Sequence, residues 1–209
     1  MHEVDSLSRR LFAPLLTSQA GACLTMDNWR EIGIEQGVFS LETLIAKPGI
    51  EVLKSFRDLR HYSGWRGRII LNATLKTKAS TGEYEIRSPY DGRLIHLSHD
   101  DLIALVRHLN PDVVIWPDKT EPPGFECIES DKPAADALQG IIYTQTGTFN
   151  LLDEDNREAF SALDAECDCP TCRAGYTRAY LHHLLQHTPL LAQRFLMMHN
   201  VARICLKAS

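Results

Sequence analysis

Three cysteines stand close together in the segment C-D-C-P-T-C, at Cys167, Cys169 and Cys172. Cysteine thiolates are the ligands that structural zinc prefers, and a histidine nitrogen commonly completes the tetrahedron. With three of the six cysteines in one short loop, the pattern indicates metal chemistry in a reducing compartment and not a disulfide framework. The other three, Cys23, Cys127 and Cys205, are expected to be small buried hydrophobes.

Several histidines could supply the fourth ligand. His199 follows Cys172 by 27 residues and shares a predicted helix face with apolar neighbours that include Ala192 and Leu196, so it is expected to point into the interior. A histidine on such a face is also often a hydrogen-bonded core residue. His182, His183 and His187 are alternatives, although His182 and His183 are expected to face outward or toward a partner.

The net charge limits the classes of partner. The 209 residues carry a formal charge of −5, so a general affinity for nucleic acid is not expected. Two arginine groups are either local binding patches or ordinary solvated surface: Arg57, Arg60, Arg66 and Arg68, and Arg173, Arg178 and Arg194. No apolar run reaches the roughly 18 residues of a membrane span, and the start lacks the order of a secretory signal. We expect a cytoplasmic protein.

The N-terminal part alternates strand and helix signals with short connections, which indicates an α/β arrangement of parallel strands. Predicted strands lie at 11–16, 68–71 and 112–116. Predicted helices cover 26–32, capped by Thr25 and stopped by Gly33, 50–59, and 100–109, opened by a Ser98 cap. An Asp91-Gly92 turn between alternating segments predicts a hairpin. Residues 119–139 are predicted as loop and 141–151 as a second hairpin. Helices are predicted over 177–186 and over 189–206, the second opened by a Thr188 cap and Pro189. We expect an α/β region over 1–139 and a metal-binding helical subdomain over 140–209.

The chain resembles the tRNA-guanine transglycosylases (queuine tRNA-ribosyltransferases). The C-terminal similarity is carried by G-I-I-Y-T-Q-T-G-T-F-N-L, F-S-A-L-D-A-E-C-D-C-P-T-C, T-R-A-Y-L-H-H-L-L and F-L-M-M-H-N, in that order. The N-terminal similarity is looser and is carried by K-P-G-I-E-V-L, G-W-R-G-R-I-I-L-N-A, E-I-R-S-P-Y-D-G-R-L-I-H-L-S and D-V-V-I-W-P-D, which resemble the first three barrel strands and their inserts.

That resemblance implies a zinc-bearing (β/α)₈ barrel that exchanges guanine in tRNA for a 7-deazaguanine base. It implies that His199 is the fourth zinc ligand beside the three cysteines. It also implies a dimer formed around the zinc subdomain, with Tyr180, His183 and Tyr176 on aromatic interface positions, although ordinary helix surface and core is the alternative for these residues.

The family's catalytic positions depart from the pattern. The acid/base aspartate of D-S-G-G-F-Q aligns with Asn72, which cannot take up a proton at neutral pH. The nucleophile position holds Glu126, whose carboxylate is one methylene longer. Only Asp118 keeps the place of the base-reading aspartate. Asp118 and Glu126 lie eight residues apart, where the family has four strand–helix units, and a closed barrel takes about 250 residues.

We therefore expect a partial, TIM-barrel-like core with a C-terminal zinc subdomain, and a non-catalytic binding or assembly module. Its open edges require a homodimer or a hetero-partner; tRNA is a possible but not a favoured partner. Two alternatives stay open. One is a divergent base-exchange or N-glycoside-cleaving enzyme that uses Glu126 as nucleophile and Asp118 for the base. The other is one half of a split transglycosylase.

Overall fold

Short strands and helices alternate through the computed structural model, which describes residues 12–76, 82–116 and 128–207. The strands are β1 (Phe12–Pro14), β2 (Gln36–Ser40), β3 (Arg68–Asn72), β4 (Tyr84–Arg87), β5 (Leu94–Leu97), β6 (Val113–Ile115), β7 (Ile128–Ser130), β8 (Ile141–Tyr143) and β9 (Thr148–Asn150). The helices are α1 (Met26–Glu31), α2 (Leu41–Ala46), α3 (Ile50–Ser55), α4 (Leu59–Ser63), α5 (His99–Leu109), α6 (Lys132–Leu138), α7 (Pro170–Arg173), α8 (Arg178–His187) and α9 (Pro189–Lys207).

The main sheet is parallel, in the order β2-β3-β6. Ile70 pairs with Val38 on one side and with Val113 on the other. Ile69, Ile70 and Leu71 are fully buried, as expected of a central parallel strand covered on both faces. The predicted α/β class with parallel strands is confirmed, and the sheets formed by the described residues do not close into a barrel.

Several local predictions are confirmed. Thr25 caps α1 by accepting a hydrogen bond from the Asn28 amide, and Ser98 caps α5 in the same way from Asp101. β4 and β5 form the antiparallel hairpin around the Asp91-Gly92 turn. β8 and β9 form the second hairpin.

The prediction that residues 119–139 are loop is wrong for its described part. β7 pairs in parallel with β1, and α6 follows at once, with Pro133 in its first turn. Pro133, Ala134 and Ala137 are buried, so small apolar residues hold this helix against the rest of its unit. The predicted helix over 50–59 is also interrupted, because α3 ends at Ser55 and α4 begins at Leu59, capped by Asp58.

The described residues group into two compact units. Residues 15–18, 35–76 and 82–116 form the sheet unit, which contains β2 to β6 and α2 to α5. Residues 12–14, 19–34 and 128–207 form the cysteine unit, which contains β1, β7 to β9, α1 and α6 to α9. The boundary predicted between 139 and 140 stays a prediction, since packing units are not a test of independent folding. Among the described residues, no helix has the length and hydropathy that crossing a bilayer requires.

Candidate metal centre

The cysteine loop ends in a single helical turn. Cys169 is the N-cap residue of α7, and its Sγ accepts a hydrogen bond from the Cys172 amide at 3.4 Å. Pro170 occupies the first turn, where its missing N–H has no helical partner to lose. This helical turn therefore places the sulfurs of Cys169 and Cys172, which are three residues apart in sequence, on the same side of the loop.

His199 comes to the same point from α9. Its side chain is fully buried, and its Nδ1 lies 3.3 Å from Cys172 Sγ and 3.6 Å from Cys169 Sγ. The ligand atoms of Cys167, Cys169, Cys172 and His199 all lie within 4.8 Å of one another. Ligand atoms around a tetrahedral ion with bonds of about 2.0–2.3 Å are roughly 3.5–3.8 Å apart. The four side chains could therefore hold one metal ion.

The hydrogen bond of the other imidazole nitrogen sets the tautomer of His199. Nε2 lies 2.8 Å from the backbone carbonyl oxygen of Tyr143. A carbonyl can only accept, so Nε2 carries the proton and Nδ1 presents its lone pair to the sulfurs. Histidine ligands of metals are commonly oriented in this way by a second hydrogen bond.

The neighbouring Asn200 secures the same strand. Its Oδ1 accepts from the Tyr143 amide at 3.0 Å, and its Nδ2 donates to the carbonyls of Ile141 at 2.8 Å and Pro133 at 3.1 Å. Asn200 is fully buried, and these three bonds satisfy most of its capacity. The amide thereby joins α9 to β8 and to α6.

Thiol ionisation also favours a cation here. Hydrogen bonds from Cys167 and then from Cys172 lower the pKa of Cys169 to about 3. The pKa of Cys172 is raised, because its thiol proton is shared first with Cys167 and then with Cys169. Metal ions bind cysteine as the thiolate, so a cation bound by these sulfurs would displace their protons.

Two buried contacts hold the cysteine loop against α9. Thr171 donates from its hydroxyl to the Phe195 carbonyl at 2.7 Å. Arg203 and Asp164 form an ion pair at 3.3 Å with both side chains almost fully buried. The pair lacks hydrogen-bond geometry, and Arg203 donates instead to the Glu166 carbonyl, next to Cys167. Sequence reasoning gave these residues and Asn200 no role, although polar residues within an apolar helix such as M-M-H-N-V-A-R are the signal for such contacts.

The alternative histidines have other contacts. His182 is buried and its Nδ1 donates to the Leu151 carbonyl at 2.8 Å, so the prediction that it faces outward is wrong. His183 is exposed and its ring lies 4.3 Å from that of His187. Cys23 and Cys205 are only partly buried, contrary to expectation, and Cys127 lies outside the described residues.

Two of the three residues expected at an interface, Tyr176 and Tyr180, are in ring contact with each other, whereas the ring of His183 contacts that of His187. The Tyr176 ring lies 5.4 Å from that of Tyr180 and 4.8 Å from that of Phe195. Tyr180 is 45% exposed, and Leu191 and Leu190 nearby in sequence are also exposed. The cysteine unit thus exposes both aromatic and aliphatic side chains.

Of the three residues at the family's catalytic positions, only Asn72 lies within the described part of the chain. Asn72 ends β3, and its Oδ1 accepts a hydrogen bond from the Thr74 amide at 2.9 Å. Asp118 and Glu126, the predicted base-binding and nucleophile residues, lie outside the described residues.

Two segments of the chain, residues 5–132 and 124–205, match the family described as "TGT: Queuine tRNA-ribosyltransferase". The matched segments cover most of the sequence, and they include all four residues of the metal centre. The chain belongs to the queuine tRNA-ribosyltransferase family.

Curated relatives support the same assignment over a shorter range. The queuine tRNA-ribosyltransferase of Desulforapulum autotrophicum is 43% identical over 77 residues, which is 37% of this chain and 20% of that protein. The protein of the same name from Clostridium acetobutylicum is 32% identical over 111 residues, or 53% of this chain and 28% of that protein. The chain thus spans about a fifth to somewhat over a quarter of the length of these relatives.

Proposed function

We propose that the chain is a shortened, zinc-stabilised family member that acts as a binding or assembly module and does not itself exchange bases. The observation that carries the proposal is the replacement of the family's acid/base aspartate by Asn72. An amide cannot deliver or accept a proton near neutral pH. Its oxygen is moreover engaged with the Thr74 backbone.

The proposed metal is zinc, held by Cys167, Cys169, Cys172 and His199. Three thiolates and one imidazole are the donor set of structural zinc sites, and four protein ligands leave no open position for a substrate or for water. The ion would therefore stabilise the cysteine unit and would take no part in chemistry.

The proposed architecture is an incomplete TIM-barrel-like core. Three parallel strands, β2, β3 and β6, support this, each with buried or half-buried apolar residues. Among the described strands β6 pairs only with β3, and Val113, Val114 and Ile115 remain partly exposed. An open strand edge with apolar side chains is what a second polypeptide would cover.

The proposed partner surface includes Tyr176, Tyr180 and His183. Large rings that stand in solvent at a helix surface are typical anchors of protein interfaces. The exposed Tyr180 and the contacts that orient it through Tyr176 support a homodimer, or a complex with a different polypeptide, through this part of the cysteine unit.

Incorporation of radiolabelled guanine into unmodified tRNA tests the proposal, with a full-length family enzyme as positive control. We expect no incorporation above background. Misplacement of the nucleophile by about 1 Å alone can lower the reaction rate about a hundredfold, and the acid/base residue is also replaced. Incorporation that is lost in Glu126→Gln would establish the enzyme alternative, with Asp118→Asn testing base binding. Incorporation that requires a second, co-expressed polypeptide would establish the split enzyme.

A further inference from the structure

A cavity of about 420 Å³ lies in the sheet unit, lined by Arg57, Arg60, His61, Gly64, Trp65 and Arg66. Three of these residues carry guanidinium groups, and no carboxylate is among the lining residues. Asp58 and Asp112, outside the lining, pair with Arg57 and Arg60, so the unmatched positive charge of the cavity is that of Arg66, on a chain whose net charge is −5.

The floor of the cavity is fixed by packing. Trp65 is 1% exposed, and its Nε1 donates to the Arg68 carbonyl at 3.1 Å. Gly64 ends α4 in the left-handed conformation, with φ of 73°. A side chain at Gly67 would collide with the Glu35 carbonyl and with the Trp65 ring, so the backbone on both sides of Arg66 packs tightly.

The arginines differ in how they are held. Arg60 donates to the Gly67 carbonyl at 2.6 Å and also pairs with Asp112. Arg57 donates from Nε to Asp58 at 2.9 Å. Each guanidinium has five N–H groups, so both keep donors for a ligand. Arg66 is exposed, and the contacts found within the described part of the chain leave its guanidinium available.

We propose that this cavity binds a phosphate group. Guanidinium groups on a rigid backbone bind phosphate oxygens in pairs, which gives both strength and orientation. Here Arg57 and Arg60 are pre-oriented by their carboxylate partners, and Arg66 supplies a charge that is not neutralised. The phosphate could belong to a nucleic-acid backbone or to a small phosphorylated molecule.

The cavity lies at the opposite end of β3 from Asn72, the residue that replaces the family's acid/base aspartate. Arg66 precedes Arg68, the first residue of β3, whereas Asn72 is the last residue of that strand. Ligands of parallel α/β sheets usually bind at the carboxyl ends of the strands. A phosphate site at the amino end is therefore a second site, and it does not rest on the function proposed above.

The test uses the full chain at roughly 0.1 M salt with two probes, since affinity for phosphates depends strongly on ionic strength. Line broadening in ³¹P NMR reports binding of inorganic phosphate, and fluorescence anisotropy reports binding of a labelled RNA hairpin. The variants are Arg66→Glu and Arg57→Gln. Arg107→Glu, an exposed arginine on α5 of the same unit, is the matched control. Melting temperatures check that all variants are folded.

We expect Arg66→Glu and Arg57→Gln each to weaken binding about tenfold or more, the scale of one charge-assisted hydrogen bond, and Arg107→Glu to leave it unchanged. Broadening of the phosphate signal would identify a small phosphate as sufficient. RNA binding without broadening would identify the polymer backbone as the source. Failure of both probes to bind, or equal weakening in all three variants, would overturn the proposal.

Discussion

His199 and Tyr143 are joined at the point where the metal centre meets the second hairpin: Nε2 of His199 donates to the Tyr143 carbonyl at 2.8 Å. The next residue on α9, Asn200, accepts a hydrogen bond from the amide of the same Tyr143 at 3.0 Å. Both backbone groups of one strand residue are thus bound by consecutive helix residues. The orientation of the proposed metal ligand therefore depends on β8, far away in sequence.

We predict that the purified chain contains close to one zinc ion per molecule. Cys169→Ala should lose the metal and become insoluble or protease-sensitive, because structural zinc contributes folding free energy on the order of 10 kcal/mol in isolated zinc peptides. Elemental analysis of the metal content, together with limited proteolysis, measures both effects.

Cys205→Ala is the matched control for the metal, since Cys205 is a partly buried thiol outside the four-residue cluster. It should keep its zinc and resist protease like the unmodified chain. Metal-free protein that unfolds cooperatively at an unchanged temperature would contradict the structural role.

We predict that Asn200→Ala destabilises the chain by about 3 kcal/mol or more. The substitution leaves one amide and two carbonyls, at Tyr143, Ile141 and Pro133, without their partner in the interior, and each such group costs about 1–3 kcal/mol. Denaturant unfolding gives the free energy difference.

The same variant should release zinc to a chelator faster, because the Tyr143 carbonyl that orients His199 would lose its anchor. Gln193→Ala, on the same helix, should change stability by less than about 0.5 kcal/mol. Equal losses in the two variants would show that α9 is sensitive everywhere and that Asn200 has no particular role.

The elements that could be predicted from sequence are those with local signals. Thr25 and Ser98 cap their helices because a hydroxyl stands just before an apolar periodic segment, and each accepts the expected amide hydrogen bond. Thr177 caps α8 in the same way, although only the helix itself was predicted. The cysteine spacing likewise predicted a metal cluster from local pattern, whereas the choice of His199 over the other histidines rested on the family resemblance.

The missed elements depend on residues far apart in the chain. β7 was missed because it forms by pairing with β1, more than a hundred residues earlier, and its three residues have no strong pattern of their own, whereas β1 lies within the strand predicted at 11–16. Small buried residues hold α6, and small residues give a weak periodic signal. α2 was also absent from the sequence predictions. Ser40 caps it by accepting a hydrogen bond from the Thr43 amide, so a local signal for this helix was present.

We predict that the chain forms a dimer or a stable complex through the surface that contains Tyr180. Tyr180→Ala should weaken association by about 2 kcal/mol or more, since aromatic anchors carry much of the energy of an interface. Light scattering at micromolar concentration gives the mass of the particle for each protein.

The control for this substitution is Tyr90→Ala, which removes an exposed tyrosine, 63% accessible, from the sheet unit. It should leave the mass unchanged. A monomer at micromolar concentration, indifferent to Tyr180→Ala and without a co-purifying polypeptide, would contradict the assembly prediction.

Finally, breaking the buried Asp164–Arg203 pair should destabilise the chain strongly, whereas replacing both residues with apolar ones should destabilise it much less. Arg203→Met alone should destabilise the chain by about 3–5 kcal/mol, because it leaves the Asp164 carboxylate without its counter-charge at 7% exposure. Asp164→Leu combined with Arg203→Met should recover much of that loss, since a buried ion pair pays a large desolvation cost. Unfolding free energies of the single and double variants form the test. If the double variant is no more stable than Arg203→Met, the Glu166 carbonyl that Arg203 also binds, at 3.3 Å, would be the contact that matters.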